Sequence, residues 1–388
     1  MKIAIVTAYY YPLNVPRAFR ATELAREFAR MGHVVTVYNA INVLDAEGNL
    51  LSKECMYPDN LVLKNLGVYH WRQTNKKNSI KLPFYINKAF NYFKKITYYF
   101  STNNWLQFYA RFNKILYFDD KYDLLISIGL PFAVHWGVSN KIYGRNVADC
   151  YIADYGDPFS KYNKSIKVAK YFSWIEKRAI DKFDYITIPI EKAVGSYTWL
   201  KERDKIRVIP QGFNFEEIKL GQYSQNEQIT FAYAGLFYSD IRNPKSFLDF
   251  LCECDFDFRF IIYTDINVVD SYMCIMPYIK KLGRKIILRP VIPRVDLIYQ
   301  LSMMDFLINI NNAASNQNPS KLIDYSLTKR PIFSLSQDSF ETERFLNFCK
   351  RTYDSRDLLN IEAYNIKNVA RQYMSLYETI VSIHPQMV

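Results

Sequence analysis

The amino-terminal residues alternate between strand and helix patterns in an order that few folds accommodate. Lys2 to Thr7 is an apolar strand, Arg17 to Arg30 places its apolar side chains on one helical face, and His33 to Tyr38 is a second apolar strand. A helix that joins two such strands makes a right-handed crossover, which lays the strands parallel in one sheet. The sequence therefore predicts an open parallel α/β sheet with its first ligand loop after strand one.

The same alternation restarts after residue 210. Ile229 to Ala234 is a predicted strand, Pro244 to Leu251 a predicted helix, and Phe258 to Thr264 the next strand. Domains usually contain roughly 100 to 200 residues, so a chain of 388 residues is expected to form two. We place the two α/β domains at residues 1–200 and 201–365. A long amphipathic helix at 366–388 follows, and packing back onto the amino-terminal domain is one arrangement open to it.

Composition excludes several classes of protein. Hydrophobic residues make up 49% and charged residues 23%, which disfavours disorder. No apolar run reaches the roughly 18 residues that cross a bilayer, and the start lacks a leader cleavage site, so we expect a cytoplasmic protein. Six scattered cysteines in a long chain are expected to be free thiols. Four scattered histidines give no metal-ligand pattern, so no structural metal is expected.

The net charge of +12 is compatible with three kinds of anionic partner. A nucleic acid is one, but no helix-turn-helix, zinc finger or RNP-type signature accompanies the charge, so we expect none. A pyrophosphate donor or an anionic membrane face would also attract basic residues. Residues 82–117 interleave aromatic residues with lysine at helical spacing. This segment predicts either helices lying in a membrane interface or aromatic side chains buried in the domain's own core.

Two stretches in the second half have phosphate-binding chemistry. Gly235 follows a strand, and Arg242 and Lys245 precede the next helix, whose amino end attracts anions. Farther on, Lys321 stands beside the predicted helix cap Ser320, and an acidic residue at 324 lies one turn inside. Lys321 and backbone amides would hold a diphosphate, and the carboxylate of Asp324 would accept hydrogen bonds from ribose hydroxyls. The alternative is structural. Pro319-Ser320-Lys321 would then only start a helix, and Asp324 would pair with a surface lysine.

Several motifs in chain order carry a resemblance to a known family. The run from Pro319 to Ile332 resembles the donor-site signature of retaining glycosyltransferases of family 4. The amino-terminal strand–helix–strand unit resembles that family's first such unit. Three further landmarks are similar to the family's catalytic loop, interdomain segment and phosphate loop, namely Asp154-Tyr155-Gly156-Asp157-Pro158, Ile209-Pro210-Gln211-Gly212-Phe213 and Arg242-Asn243-Pro244.

The resemblance implies a GT-B fold, in which two Rossmann-like domains face each other across a deep cleft. It implies a sugar moved from a nucleotide-diphosphate donor to a glycan or polyprenyl-diphosphate-linked acceptor with retention, in bacterial surface polysaccharide synthesis at the inner membrane face. No metal or other cofactor is expected. The implied catalytic residues are Asp157, Arg242 and Lys321. The implied donor-binding residues are Gly235, Arg242, Lys245, Asn316, Ser320, Lys321 and Asp324. The first loop, with Pro16, Arg17 and Arg20, is expected on the acceptor side or at the diphosphate.

The sequence departs from the family pattern at several positions. Asn316 stands where many members carry a first acid, Asp324 shortens the second, and Asn14-Val15-Pro16-Arg17 replaces the usual Gly-Gly. An inactive, sugar-nucleotide-binding or membrane-scaffolding relative is therefore the alternative function. A nucleotide-sugar 2-epimerase would carry acid and histidine residues in its cleft, and this chain has only four histidines. A dehydrogenase would need Gly-x-Gly-x-x-Gly after the first strand, which is absent.

Overall fold

The chain folds into two compact α/β units. The computed structural model describes residues 1–13, 15–45, 47–51, 58–72, 84–102, 105–160, 168–197, 200, 202–216, 218–240, 242–311, 320–336 and 340–383. Unit 1 comprises Met1–Asn214 and Asn365–Val388, and unit 2 comprises Phe215–Tyr364. The chain therefore leaves unit 1, forms unit 2, and returns to unit 1 for its last helix.

Unit 1 is built on a seven-stranded sheet in which every pair of neighbours is parallel, in the order β3-β2-β1-β4-β5-β6-β7. Its strands are β1 Lys2–Thr7, β2 Val34–Leu44, β3 Leu61–Arg72, β4 Tyr122–Ile128, β5 Ala148–Asp154, β6 Tyr185–Ile188 and β7 Ile206–Val208. Its helices are α1 Pro16–Arg30, α2 Phe84–Ser101, α3 Trp105–Ile115, α4 Ala133–Ile142, α5 Lys170–Ile180 and the carboxy-terminal α11 Ile366–Ile383.

Unit 2 is built on a five-stranded parallel sheet in the order β10-β9-β8-β11-β12. Its strands are β8 Thr230–Ala234, β9 Arg259–Tyr263, β10 Ile286–Arg289, β11 Phe306–Ile310 and β12 Ile332–Leu335. Its helices are α6 Lys245–Glu253, α7 Val269–Leu282, α8 Arg294–Leu301, α9 Ser320–Leu327 and α10 Thr342–Cys349.

The central strands form because their side chains are apolar on both faces, as a sheet covered by helices on both sides requires. In β1, Ile3, Ala4, Ile5 and Val6 are fully buried, and they divide between the two cores that lie on opposite faces of the sheet. The predicted strands that begin at residues 2, 33, 229 and 258 all exist, and the second of them continues six residues farther than predicted, to Leu44.

The last helix packs on unit 1. Tyr373 of α11 is fully buried and meets Phe28 of α1 edge to face, with 6.5 Å between ring centroids. Val369 and Ala370 join the same core. A short 3₁₀ turn at Ile361–Tyr364 precedes α11, which begins at Ile366 as predicted.

Both sheets have the strand order of doubly wound folds, in which the direction of winding reverses at one point. The reversal lies between β1 and β4 in unit 1 and between β8 and β11 in unit 2. Ligands of such sheets bind outside the carboxyl ends of the strands at this switch point. The loops after β1, β4, β5, β8 and β11 are therefore the places to look for a site.

The aromatic segment at 82–117 divides between its two interpretations. Phe108 and Phe112 of α3 are buried in the unit 1 core, as the core interpretation expects. Tyr92, Phe93 and Phe100 of α2 are instead more than half exposed, so the core interpretation is wrong for them. In the portion of the chain that the structure describes, no helix is both long enough and apolar enough to cross a membrane.

Candidate functional site

The switch point of the second sheet brings Gly235 and Lys321 together. Gly235 follows the last residue of β8, and Lys321 is the second residue of α9. The hydroxyl of Tyr325, one turn into α9, accepts a 2.8 Å hydrogen bond from the backbone N–H of Ala234. That bond fixes the start of α9 against the end of β8, and so it sets the position of the lysine.

Gly235 is required at its position for two reasons. Its φ is +134°, in the region that only glycine adopts without strain. A Cβ atom there would also lie 2.7 Å from Nζ of Lys321, closer than side-chain contacts normally come. Because Gly235 has no side chain, it leaves the space that the amino group of Lys321 occupies.

The amino group of Lys321 is buried and has no hydrogen-bond partner among the described residues. Its amino nitrogen lies 4.1 Å from the ring centre of Tyr233, which attracts the positive charge through the ring face. Burial lowers the pKa of Lys321 well below its usual value, and the positive charge of Arg242 lowers it further. A buried ammonium beside a second cation is an arrangement that an anion would stabilise.

Arg242 approaches the same place from the loop after β8. Its backbone N–H and C=O pair with Tyr238 at 3.1 and 3.3 Å, which closes the loop into a small hairpin. One guanidinium nitrogen donates to the carbonyl of Leu236 at 3.3 Å. Two of the predicted donor residues, Arg242 and Lys321, therefore concentrate positive charge around Gly235.

Asp324 has a different partner from the surface lysine that the structural alternative named. Nε and Nη2 of Arg294 in α8 donate to one carboxylate oxygen of Asp324 at 2.9 and 2.7 Å. Burial raises the pKa of Asp324, and the Arg294 charge opposes that rise. The carboxylate is thus held in place by α8, and its predicted role as a ribose ligand stays a prediction.

The remaining predicted donor residues are not shown next to Gly235 and Lys321. Lys245 at the start of α6 is exposed, and its amino group lies 2.7 Å from Asp249 in the next turn. Asn316 and the side chain of Ser320 lie outside the described part of the chain. The structure therefore brings Gly235, Arg242 and Lys321 into one group and leaves Lys245 paired on the helix surface.

Unit 1 has a second group of predicted residues beyond β1 and β5. A Cβ atom on Gly156 would lie 1.3 Å from Nη2 of Arg17, so the guanidinium occupies the space that this glycine leaves open. Burial lowers the pKa of Arg17, whereas the charges of Asp154 and Asp157 raise it. Pro16 starts α1 and is exposed. Of the three predicted first-loop residues, Arg17 is the one that reaches the Asp157 loop.

Asp157 is exposed at the rim of a small pocket with aromatic walls. Phe159 stacks between Trp105 and Phe132, with ring centroids 5.4 and 4.6 Å away. An apolar, aromatic pocket with a few converging polar groups is typical of small-molecule sites. The complete lining is Trp105, Gly129, Leu130, Phe132, His135, Tyr155, Gly156, Asp157 and Phe159.

His135 is a buried polar residue of this pocket, and no sequence motif marks it as functional. Its Nδ1 lies 2.8 Å from the hydroxyl of Ser127, and its ring stacks on Tyr155 with centroids 4.6 Å apart. Nε2 is buried without a hydrogen-bond partner in the described structure. A Cβ atom on Gly129 would lie 2.1 Å from this nitrogen, so only glycine leaves room for the ring. Burial lowers the pKa of His135 to about 3, so the ring is neutral at physiological pH.

Arg20 has protein partners around its guanidinium. Nε and Nη2 bind both oxygens of Asp154, Nη1 donates to the carbonyl of Pro210 at 2.8 Å, and Nη2 lies 2.7 Å from the hydroxyl of Tyr373. Thr187 also donates to Asp154 at 2.8 Å. Arg20 is only 1% exposed. Arg20 therefore joins α1, β5 and α11, which is a structural role. Its predicted contact with a diphosphate stays a prediction.

Several solved proteins resemble this structure over nearly their full length. A glycosyltransferase from Rickettsia africae ESF-5 matches with a TM-score of 0.58 at 12% identity, over 98% of each chain. Anabaena HepE, solved with UDP, matches with a TM-score of 0.53 at 10% identity over the full length of both chains. The lipopolysaccharide outer core galactosyltransferase WaaB matches with a TM-score of 0.53 at 10% identity over 99% of each. The fold is GT-B.

At these identities the likeness extends to the GT-B fold and no further. No family model matches the sequence, and no curated protein matches it. Within the described ranges, no three His, Cys, Asp or Glu side chains are grouped as metal ligands would be. Metal-independent chemistry was expected from the sequence, and it stays a prediction.

Three residues that position the predicted groups could not be found from local patterns. Tyr233 lies inside an apolar strand, where an aromatic residue usually indicates core. Arg294 is 30 positions from Asp324 along the chain. His135 lies in a helix that carries no recognisable motif. The contacts of each residue can be recognised only in the folded sheet, because the strand order brings distant loops to the carboxyl ends of neighbouring strands.

Proposed function

We propose that this chain is a retaining glycosyltransferase of family 4 that uses a nucleoside-diphosphate sugar as donor. The observation that carries the proposal is the buried amino group of Lys321, which lies beside Arg242 and opposite Gly235 at the switch point of the second sheet. A diphosphate would supply an anion for the amino group of Lys321, which has no hydrogen-bond partner among the described residues. Solved GT-B relatives support the choice of nucleotide, since HepE has been solved with UDP and with UDP-glucose.

In the proposed reaction, an acceptor hydroxyl attacks the anomeric carbon on the face from which the diphosphate leaves. The bond between that carbon and the β-phosphate oxygen breaks, and the proton of the hydroxyl passes to the departing diphosphate. Lys321 and Arg242 stabilise the charge that develops on the leaving group, which is the largest single contribution expected in such a site. Asp157 orients the acceptor by accepting a hydrogen bond from a neighbouring hydroxyl of the acceptor, not from the one that attacks.

The acceptor would bind at the aromatic pocket of unit 1. Aromatic rings line this pocket and would contact the apolar C–H face of a sugar, and the exposed carboxylate of Asp157 at the rim accepts hydrogen bonds. We propose a glycan or a polyprenyl-diphosphate-linked sugar as acceptor, in the assembly of a bacterial surface polysaccharide. The similarity to WaaB, a lipopolysaccharide outer core galactosyltransferase, supports this setting.

The donor site is tested by calorimetric titration with UDP, GDP, ADP, CMP and their sugars, with and without a chelator. We expect one nucleotide to bind in both conditions and to bind at least roughly tenfold more weakly to Lys321→Met, since a charge-assisted hydrogen bond contributes about 1.5–3 kcal/mol. Lys281→Met is the matched control, because Lys281 also lies over a tyrosine ring in unit 2 but is exposed.

Equal nucleotide binding by Lys321→Met and the wild type would refute the donor site. Turnover is then measured as release of free nucleotide in the presence of the donor that binds. Binding without any hydrolysis or transfer would favour the alternative in which the chain is an inactive sugar-nucleotide-binding protein. Release that Asp157→Asn abolishes, with donor affinity unchanged, would support the acceptor-side role of that carboxylate.

A further inference from the structure

One face of α2 is apolar and exposed. Tyr92, Phe93, Ile96, Tyr99 and Phe100 follow the i, i+1, i+4, i+7, i+8 spacing, which places them on one stripe about 120° wide. Helices of globular proteins normally turn such a stripe toward the core. Here the five side chains are between 36% and 67% exposed, so the apolar stripe faces solvent.

The exposed stripe continues onto α5. The carbonyl of Tyr99 accepts a 2.9 Å hydrogen bond from the N–H of Ala169, the residue that precedes α5. The hydroxyl of Tyr171 donates to the carbonyl of Phe100. One turn farther along α5, Trp174 is 63% exposed. The carboxyl end of α2 and the amino half of α5 therefore form one aromatic surface, which we call the α2–α5 surface.

The charges around this surface have a single sign. Lys95 borders the stripe on α2, about 40° from Tyr99 around the helix axis, and the sequence of α2 contains no acidic residue. On α5, Lys177 and Arg178 are the basic residues of the last turn, and the guanidinium of Arg178 lies 5.6 Å from the centre of the Trp174 ring. The acidic residue of α5, Glu176, is 1% exposed. The surface thus offers cations and aromatic rings and no exposed carboxylate on either helix.

We propose that the α2–α5 surface docks this protein on an anionic lipid bilayer. Aromatic rings with polar tips settle at the level of the lipid head groups, and lysine stems reach along apolar surface to place their charges there. Each basic residue near an anionic bilayer strengthens binding roughly fivefold. The inference goes beyond the proposed sugar transfer, and it explains how a chain without a described spanning helix would meet a lipid-linked acceptor.

The test is co-sedimentation of the full chain with vesicles of phosphatidylglycerol and phosphatidylcholine, over a range of salt concentrations. We expect binding that weakens as salt rises. Tyr92→Ser/Phe93→Ser is expected to lose at least roughly tenfold in affinity, because two side chains leave the interface. Tyr272→Ser/Met273→Ser is the matched control, since it also removes two neighbouring exposed apolar side chains from a helix, but in unit 2.

A charge variant tests the lipid class. Lys95→Gln/Arg178→Gln is expected to bind the anionic vesicles roughly twentyfold more weakly, whereas no variant should bind vesicles of phosphatidylcholine alone. Equal binding to neutral and anionic vesicles, equal loss in both apolar pairs, or no vesicle binding at all would overturn the proposal. Self-association of the wild type that Tyr92→Ser/Phe93→Ser abolishes, without vesicle binding, would also overturn it and indicate a second copy as the partner.

Nucleotide binding is measured on the same variants by calorimetry. We expect it to be unchanged in all of them, because the α2–α5 surface belongs to unit 1 and the Lys321 site to unit 2. Failure of membrane docking is therefore distinguished from failure of the donor site.

Discussion

Replacing Lys321 with methionine is expected to stabilise the unliganded protein while it weakens nucleotide binding. Methionine has a similar length and no charge to desolvate. A buried polar group without a hydrogen-bond partner costs about 1–3 kcal/mol, and the attraction to the Tyr233 ring offsets about 1 kcal/mol of that cost. We therefore expect Lys321→Met to raise the free energy of unfolding by up to about 2 kcal/mol at neutral pH.

The gain should depend on pH in a direction fixed by the lowered pKa of Lys321. The unfolded chain holds the lysine proton up to a pH of about 10.4, whereas the folded chain loses it at lower pH. The folded wild type therefore gains stability as pH rises through that window, and loses it as pH falls. The advantage of Lys321→Met should be largest near neutrality and should shrink as the pH approaches about 10.

The assay is urea unfolding followed by circular dichroism at several pH values, with and without the nucleotide that binds. Added nucleotide should raise the urea midpoint of the wild type and change that of Lys321→Met far less. Lys281→Met should alter the free energy of unfolding by less than about 0.5 kcal/mol. A Lys321→Met protein that is less stable than the wild type at neutral pH would refute the reasoning, as would an advantage that grows with pH.

Three further outcomes follow from the unit 1 geometry. Gly156→Ala displaces the Arg17 guanidinium, so its kcat/KM should fall about tenfold or more and match that of Arg17→Ala, with no further loss in the double variant. Asp154→Asn leaves Arg20 as an uncompensated buried charge and should cost about 3–5 kcal/mol in urea unfolding, part of which an Arg20→Met/Asp154→Leu pair should recover. His135 holds a pKa of about 3, so its contribution to stability falls by about 2 kcal/mol between pH 7.5 and pH 5, and His135→Gln should remove that part of the acid sensitivity; an unchanged pH profile would contradict it.

The order of strands and helices could be predicted because buried parallel strands are continuous apolar runs bounded by turn residues. β3 was missed, since Leu61–Arg72 mixes Lys64, Asn65 and Gly67 into its apolar positions. As an edge strand, β3 is paired on one side only, by β2, and tolerates that composition.

The candidate site could be predicted only in part, because its contacts join residues far apart in the sequence. Gly235 and Lys321 were singled out from local motifs, and the structure places them in contact. Arg20 was expected at a diphosphate, but its partner Asp154 is 134 positions away, and no local pattern records that ion pair. Burial of α2 could not be predicted either, since a helical apolar stripe does not indicate whether it faces a core or a surface.

The return of the chain to unit 1 has a consequence for how the protein is made. Ile366 donates its backbone N–H to the carbonyl of Phe213 at 2.9 Å, and Tyr373 completes the buried group around Asp154. During synthesis, unit 2 is a continuous segment that can fold as soon as it leaves the ribosome, whereas unit 1 must wait for the last helix. The unit that begins first is therefore the last to finish, and until α11 packs beside α1 part of one face of its sheet stays exposed to chaperones.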